Sequence, residues 1–342
     1  MNEKTLTKKD LRDLLIAIVL IGITWMVIRK SMDLNTIKHL LQNISWPYVL
    51  MAFAMLFIFW GLEATIMGWL IHKVNRKIKR KRLPWIALKT TLIGQYYANI
   101  TPFASGGQPV QLYILRKSKL SSSEGTAVLI SKFLIFQVTV TLYALVLLVS
   151  AVTTTPTVSR PFVMTGLAIN LLGLTLIGFS AFKPSVLIGP IDWIGAKFQR
   201  SKKRMERFKV KTRNFIDDYH TGMKRLTQDY RETTLLFLLS TIQVTAFFSM
   251  PYFLSLALGV TGLHFIQIIA IQAILYMCVS FIPIPGTIGV SEFGFVALMG
   301  QVMTQNVAGT LMILWRLVSY YFSILFCGGF SLFSTLKDKW QA

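Results

Sequence analysis

Three ionisable residues lie inside long apolar segments of the sequence, where they could act on a charged ligand. Glu63 is in segment 48–71, Glu292 follows a stretch rich in proline and glycine, and Arg316 is in segment 307–334. A charged side chain at the centre of a membrane-spanning helix costs about 2.5–3.5 kcal/mol on the insertion scale, so such residues usually face a cavity or a partner. Their placement predicts a site for an ion or a lipid headgroup.

Each of these residues has a functional interpretation and a structural alternative. Glu292 would contact a cationic headgroup or act as a proton-linked switch, and Arg316 would bind a lipid phosphate. The alternative for both is a structural ion pair with each other. Glu63 would contact the ligand or hydrogen-bond a neighbouring helix, and Lys89 and Lys132 would extend toward the membrane interface.

Uncharged polar residues cluster in a second place, between about 95 and 111. Their amide groups could hydrogen-bond a headgroup, or they could satisfy backbone groups that a break in the helix releases. The sequence alone favours neither interpretation. Four amide residues therefore join Glu63, Glu292 and Arg316 as candidate substrate-binding residues: Gln95, Asn99, Gln108 and Gln111.

The sequence has no recognisable catalytic or cofactor-binding signature. It lacks G-x-x-x-x-G-K, G-x-G-x-x-G and H-E-x-x-H, which would bind nucleotide phosphates or a catalytic zinc ion. The four histidines are scattered, and the two cysteines, Cys278 and Cys327, both lie in apolar runs. We therefore predict no catalytic residue, no metal site and no cofactor.

The composition is that of a membrane protein. The chain has 342 residues, of which 54% are hydrophobic and 15% charged, and its mean hydropathy is +0.56. The net charge of +22 is confined to a few segments outside the apolar runs, as the positive-inside rule predicts. We therefore exclude nucleic acid as a partner and expect these segments to meet anionic headgroups at the cytoplasmic face.

Apolar segments and basic loops together predict a topology. Loops rich in Lys and Arg alternate with loops poor in them, which predicts that both termini are cytoplasmic. Segments 86–119 and 265–305 each return to the side on which they start, so we interpret them as two re-entrant helical hairpins. Six segments are long enough to cross the bilayer: about 14–28, 48–71, 125–152, 161–182, 233–258 and 307–334.

Proline and glycine break each hairpin, because proline removes a backbone donor and glycine loosens a helix. Aligned without a gap, Pro102 matches Pro283 and Gln111 matches Glu292. The expected fold is therefore an all-α polytopic membrane domain over 1–342, with inverted repeats at about 48–152 and 233–334. The predicted break residues are Pro102, Gly106, Gly107, Pro283, Pro285, Gly286 and Gly289.

Segment 183–232 is the largest part predicted to lie outside the membrane. Apolar and aromatic residues recur there at helical spacing among Lys and Arg, which indicates a basic amphipathic helix. The helix would rest on lipid headgroups or serve as a docking platform for a partner enzyme. Its apolar positions are Phe215, Tyr219, Met223, Leu226 and Tyr230.

The two breaks carry a resemblance to a known family. N-I-T-P-F-A-S-G-G-Q-P-V-Q at 99–111 and P-I-P-G-T-I-G-V-S-E-F-G-F at 283–295 resemble the lysylphosphatidylglycerol synthase transmembrane family. This is the flippase-like membrane region of the multiple peptide resistance factor, and the resemblance covers nearly the whole chain. It implies a lipid-sized cavity that moves a lipid between leaflets of the bacterial cytoplasmic membrane. In the full-length factor the cargo is aminoacylated phosphatidylglycerol, whose display repels cationic antimicrobial peptides.

The sequence departs from the family pattern in two ways. We expect the aminoacyl-transferase domain of the full-length factor to be absent, because the chain ends at Ala342. Many relatives carry an acidic residue and an arginine after the first break, where this sequence has Gln108 and the stretch from Gln111 to Tyr113. Glu292 does match the acidic position after the second break.

We therefore expect a lipid translocator whose cargo is an aminoacylated phospholipid, a glycolipid or a polyprenyl-linked lipid. One alternative is an enzyme, either a membrane-embedded transferase or the membrane subunit of a separate lysyltransferase. The other alternative is a scaffold for an envelope-synthesis complex that uses segment 183–232. The sequence leaves open the cargo, the direction and energy source of transport, and the oligomeric state.

Overall fold

The apolar segments of the sequence form helices, and long helices alternate with short ones. The computed structural model describes residues 42–101, 104–149, 160–182, 202–280, 287 and 289–340, and all regular elements in these ranges are helical. The predicted all-α class is therefore confirmed. In chain order the helices are α1 (Trp46–Val74), α2 (Leu83–Ile100), α3 (Gly107–Lys117), α4 (Ser122–Val149), α5 (Arg160–Phe182), α6 (Lys202–Thr227), α7 (Tyr230–Ala257), α8 (Phe265–Val279), α9 (Val290–Met299), α10 (Gln305–Arg316) and α11 (Phe322–Trp340).

Four helical stretches are long and apolar enough to cross a membrane. They are Trp46–Val74, Ser122–Leu147, Tyr230–Ala257 and Gln305–Leu336, the last of which joins α10 to α11. They coincide with four of the predicted spans and have the necessary length, since a helix rises 1.5 Å per residue and the shortest stretch has 26 residues, or roughly 39 Å.

The other two predicted spans are not established in this way. Segment 161–182 is the helix α5, as predicted, and its crossing of the membrane stays a prediction. Segment 14–28 lies outside the described residues.

Two helix–break–helix hairpins occur where the sequence predicted them. In the first, α2 has 18 residues and α3 has 11, and a Cβ built on Gly107 would lie 3.0 Å from the Gly94 carbonyl oxygen. That close approach folds α3 back along α2. In the second, α8 has 15 residues and α9 has 10, and Gly294 packs against Leu275. The depth of both hairpins in the membrane stays a prediction.

The order of elements repeats along the chain. Pro102 and Pro283 are 181 residues apart, and this shift places the first residues of α1 to α4 within three residues of those of α7 to α10. The two units interlock, because α1 packs on α7, α4 packs on α8 of the other unit, and α11 packs on α2. Their opposite orientation across the membrane stays a prediction.

Helix α6 confirms the predicted basic amphipathic helix, and residues 183–201 of that segment lie outside the described range. Tyr219, Met223 and Leu226 are buried, whereas Phe215 is 38% exposed and Tyr230, at the start of α7, is 72% exposed.

The buried face of α6 packs against α1 and α4. The Ser131 hydroxyl contacts the Met223 sulfur at 3.2 Å, and Lys73 Nζ donates to the Leu226 carbonyl at 3.2 Å. Other helices therefore cover three of the five apolar positions, because burying apolar surface removes it from water, and contact of α6 with lipid headgroups stays a prediction.

Candidate functional site

A two-lobed cavity lies between the two hairpins. One lobe, of about 300 Å³, is lined by Arg316 and we call it the arginine lobe. The other, of about 570 Å³, is lined by Lys132 and we call it the lysine lobe. The lobes adjoin, because both are lined by Phe59, Gln95, Ala98, Ala104, Phe136, Tyr276 and Ser280.

Arg316 ends α10 and presents its guanidinium to the arginine lobe. Glu292 Oε1 lies 2.8 Å from Arg316 Nε, and the Ser291 hydroxyl oxygen contacts Arg316 Nη2. The guanidinium carbon also lies 5.0 Å from the Trp315 ring centre and 5.3 Å from that of Tyr320. These contacts fix the orientation of a planar cation that lines the cavity, and a guanidinium suits the binding of an anion.

Glu292 is 2% exposed and does not line either lobe. Its Oε2 accepts a hydrogen bond from the Gly289 amide at 2.6 Å, which caps the start of α9, and its Oε1 faces Arg316. Of the two interpretations from the sequence, the structure contains the ion pair. The carboxylate is directed into the protein, so its geometry suits holding Arg316 in place better than contacting a ligand.

Tyr320 connects the two breaks. Its hydroxyl donates to the Asn99 carbonyl at 3.1 Å, and its ring faces the Arg316 guanidinium. Tyr320 lies in a π-helical turn, Leu317–Tyr321, directly after Arg316. Such single π turns within α-helices occur frequently at functional sites. A continuous path of contacts therefore runs from Gly289 in the second break to Asn99 in the first.

A second ion pair lies in the lysine lobe. Lys132 Nζ on α4 contacts Glu63 Oε1 on α1, and the two side chains are 17% and 9% exposed. The expectation that Lys132 extends toward the membrane interface is thus corrected, because a carboxylate inside the bundle offers a closer partner. Glu63 does contact a neighbouring helix, as its structural alternative proposed, and it also lines the cavity.

The predicted amide residues gather around the cavity. Gln95 lines both lobes and donates from Nε2 to Asn99 Oδ1 at 3.1 Å, and Asn99 lines the arginine lobe. Gln108 and Gln111 line the lysine lobe, and Gln111 is buried against Gly94 of α2. All seven candidate substrate-binding residues therefore lie at the cavity or, for Glu292, directly behind it.

Three glutamines of the cavity were not predicted from the sequence. Gln137 and Gln243 line the lysine lobe and Gln272 lines the arginine lobe. Each is a polar residue in an otherwise apolar helix, and that pattern is the signal that could have found them. The buried amide nitrogens of Gln137, Gln272 and Asn99 have no hydrogen-bond partner among the described residues. They are donors available to an oxygen-rich ligand.

Both breaks contain backbone in the left-handed region. Gly289 has φ +89°, and Ala104 and Thr287, which have side chains, have φ +53° and +52°. A non-glycine residue there costs of order 1–3 kcal/mol and such strain clusters at functional sites. Gly106 and Gly107 permit close packing instead, since a Cβ on either would lie within 3.0 Å of a neighbouring atom. The other predicted break residues, Pro102, Pro283, Pro285 and Gly286, lie outside the described range.

The groups that line the cavity suit the recognition of a polar ligand. They offer a guanidinium, an ammonium and several amide donors beside aromatic rings. This donor set suits a phosphate group that carries further oxygen atoms.

The chain is similar to known membrane proteins over most of its length. Residues 13–327 match the profile of the family described as the lysylphosphatidylglycerol synthase TM region. The chain is also similar to a protein described as a UPF0104 membrane protein from Archaeoglobus fulgidus. The two are 26% identical over 326 residues, which cover 93% of this chain and 92% of that protein.

Proposed function

This chain belongs to the lysylphosphatidylglycerol synthase transmembrane family and is a multi-pass membrane protein, and on that premise we propose that it translocates a phosphate-bearing lipid between leaflets. The observation that carries the proposal is Arg316, a largely buried cation at a cavity between two broken helices. A charge at this depth is costly unless it serves a partner or a ligand. The ion pair with Glu292 explains how this buried cation is stabilised. The position of Arg316 at the cavity supports the binding of a ligand there.

The headgroup would occupy the cavity while the acyl chains stay in lipid. Arg316 would bind the phosphate, and the donors of Asn99, Gln137 and Gln272 would bind ester, hydroxyl or carbonyl oxygens. Glu292 would act as a positioning residue, since it holds the guanidinium from behind. Lys132 and Glu63 together could meet a headgroup that carries both charges.

Alternating access would come from rocking of one unit against the other around the cavity. The proposed setting is the bacterial cytoplasmic membrane with both termini in the cytoplasm. Aminoacylated phospholipids, glycolipids and polyprenyl-linked lipids remain the candidate cargoes, because each of these classes includes lipids with a phosphate beside further polar groups.

Reconstitution in liposomes tests the proposal. Purified protein is incorporated with a panel of headgroup-diverse lipids that carry a fluorophore, and transfer between leaflets is followed by quenching of the outer leaflet. We expect at least one phosphate-bearing lipid to cross faster than in protein-free liposomes, and R316Q to reduce that rate to the protein-free level.

Arg82 provides the matched control, because it is exposed and does not line the cavity. R82Q removes the same charge and should leave the rate unchanged. Equal rates for R316Q and R82Q, or no lipid that crosses faster than the background, would overturn the proposal. Turnover of aminoacyl-tRNA by the purified protein would instead support the enzyme alternative.

A further inference from the structure

A second pocket lies away from the cavity, at the end of α1. Its volume is about 750 Å³, and it is formed by the last turns of α1, the loop to α2 and the first turn of α7. It shares no lining residue with either lobe of the cavity. Its lining residues are Trp69, His72, Lys73, Arg76, Lys77, Ile78, Lys79, Arg80 and Glu232.

The charge of this basic pocket is strongly one-sided. Five permanent cations line it, and Glu232 is the one carboxylate among its described lining residues. Glu232 is already engaged, because its Oε2 lies 2.6 Å from Lys73 Nζ. The other four cations, Arg76, Lys77, Lys79 and Arg80, surround the same space. Like charges held this close repel one another, so an anion between them would lower the energy of the folded protein.

The loop that carries these cations is held in a defined shape. Asn75 Oδ1 accepts from the Lys77 amide at 3.1 Å, and the Arg82 amide donates to the Lys79 carbonyl at 2.9 Å. The Asn75 side chain also donates to the Lys119 carbonyl at 3.4 Å, which anchors the loop to the end of the first hairpin. The backbone of the loop is therefore organised before a ligand arrives, which lowers the entropic cost of binding.

Two further residues of the pocket point to a ligand at the membrane interface. His72 Nδ1 is buried and has no hydrogen-bond partner among the described residues. Trp69 lies one turn earlier on α1, and tryptophan is enriched at the headgroup level of membranes. The basic pocket thus combines clustered cations, the buried His72 Nδ1 without a partner among the described residues, and Trp69, a residue type typical of the membrane interface.

We propose that the basic pocket binds a phosphate-bearing anion at a site separate from the translocation cavity. The chemistry it recognises is one or more phosphate groups with a total charge of at least two, contacted by the guanidinium groups of Arg76 and Arg80 and by Lys77 and Lys79. Two sources supply such a group: the headgroup of an anionic lipid and a soluble phosphate compound. The site does not depend on the transported lipid.

Binding measurements on the full chain in nanodiscs test this site. One arm uses pyrophosphate as a soluble probe, in nanodiscs of phosphatidylcholine, with heat as the readout. The other arm adds cardiolipin, a lipid with two phosphates, and counts the molecules retained by native mass spectrometry. The pocket variant is R76Q/K77Q/R80Q, and the matched control is K81Q/R82Q/K224Q, which removes three exposed cations that do not line the pocket.

We expect one of the probes to bind saturably and with a stoichiometry of one. The pocket variant should weaken that binding about tenfold or more, and the control variant should change it by less than about twofold. Binding of cardiolipin alone identifies a lipid headgroup as the source, and binding of pyrophosphate alone identifies a soluble phosphate compound.

A single pair of variants, R80Q and R82Q, repeats the comparison with less change to the loop. We expect a loss of about threefold for R80Q and none for R82Q. Equal weakening by the pocket and control variants would show that the basic surface attracts anions diffusely, and the proposal would be wrong. Absence of saturable binding for both probes would also overturn it.

Discussion

At the scale of single residues, Arg316 is held by groups that come from several elements. Glu292 and Ser291 belong to α9, Trp315 to α10 and Tyr320 to the π turn that follows it. The hydrogen bond from Gly289 to Glu292 fixes the carboxylate in turn. A cation oriented in this way by buried neighbours loses little entropy when it binds a phosphate. The coupling between Arg316 and Glu292 should therefore be large.

A double-mutant cycle measures that coupling. E292Q leaves a buried guanidinium without its countercharge, and we expect it to lower the free energy of unfolding by about 3 kcal/mol. R316Q should cost a similar amount, since it strands Glu292. In E292Q/R316Q neither charge remains, so its loss should be clearly smaller than the sum of the two. Chemical unfolding in detergent micelles supplies the three values, and additive losses would contradict a direct ion pair.

Lipid transfer by the same variants separates stability from function. E292Q/R316Q should be folded yet inactive in liposomes, because the proposed phosphate contact is absent. Normal transfer by this double variant would show that the pair is purely structural.

The sequence identified these charges but only some of their partners. The free-energy cost of a charged side chain inside the membrane was enough to single out Glu63, Glu292 and Arg316 as candidates. The pairing of the last two was among the alternatives. The pair of Lys132 with Glu63 could not be predicted, because the residues are 69 positions apart on helices whose packing no local pattern encodes. Gln272 was not predicted for the same reason, because only the packing of the helices places it at the cavity.

At the scale of elements, the second hairpin depends on the backbone at Gly289. Its φ of +89° disfavours any residue with a Cβ, although nothing lies within 4 Å of the place that a Cβ would take. We expect G289A to cost about 1–2 kcal/mol in unfolding free energy and to slow lipid transfer, because it strains the turn that presents Glu292. Thermal unfolding in detergent and the liposome assay provide the two readouts.

Gly61 provides the control for G289A. It lies within α1, a Cβ there would also meet nothing within 4 Å, and its φ is not in the left-handed region. G61A should therefore be neutral or stabilising by up to about 1 kcal/mol. If G289A is equally harmless, the strained turn has no part in the stability of the hairpin.

The packing of helix α6 on α4 can be tested separately. Met223 of α6 is 2% exposed and contacts α4, whereas Phe215, two turns earlier on α6, is 38% exposed. We expect M223E to detach α6, because a buried carboxylate without a partner is unfavourable, and to make Lys224 and Arg225 readily cleaved by trypsin. F215E should leave the cleavage rate close to that of the unchanged protein, and equal cleavage of both variants would contradict the packing.

Sequence patterns predicted where elements begin and break, but not what covers them. Proline and glycine located both hairpins, and apolar spacing located α6. Amphipathic spacing shows that a helix has an apolar face without naming the surface that meets it, so the packing of α6 on α1 and α4 was not foreseen. The left-handed backbone at Ala104 and Thr287 has no local signal either, since both residue types usually have negative φ.

At the scale of the whole molecule, two units of the same element order enclose one cavity. Each unit contributes a broken hairpin, and the last helices cross to the other unit, since α4 packs on α8 and α11 on α2. Motion of one unit relative to the other must therefore change the cavity that lies between their hairpins. Such motion gives alternating access only if the units have opposite orientations in the membrane.

Labelling from each side of the membrane tests that orientation. The loop after α1 contains Lys79 and the loop after α7 contains Thr261, which occupy corresponding places in the two units and are both exposed. In an inverted repeat these loops face opposite sides. We therefore expect an impermeant maleimide to label K79C only from the cytoplasmic side and T261C only from the outside of intact cells. The native cysteines, Cys278 and Cys327, are buried and provide the unlabelled background. Labelling of both loops from one side would contradict the inverted repeat and, with it, the rocking movement.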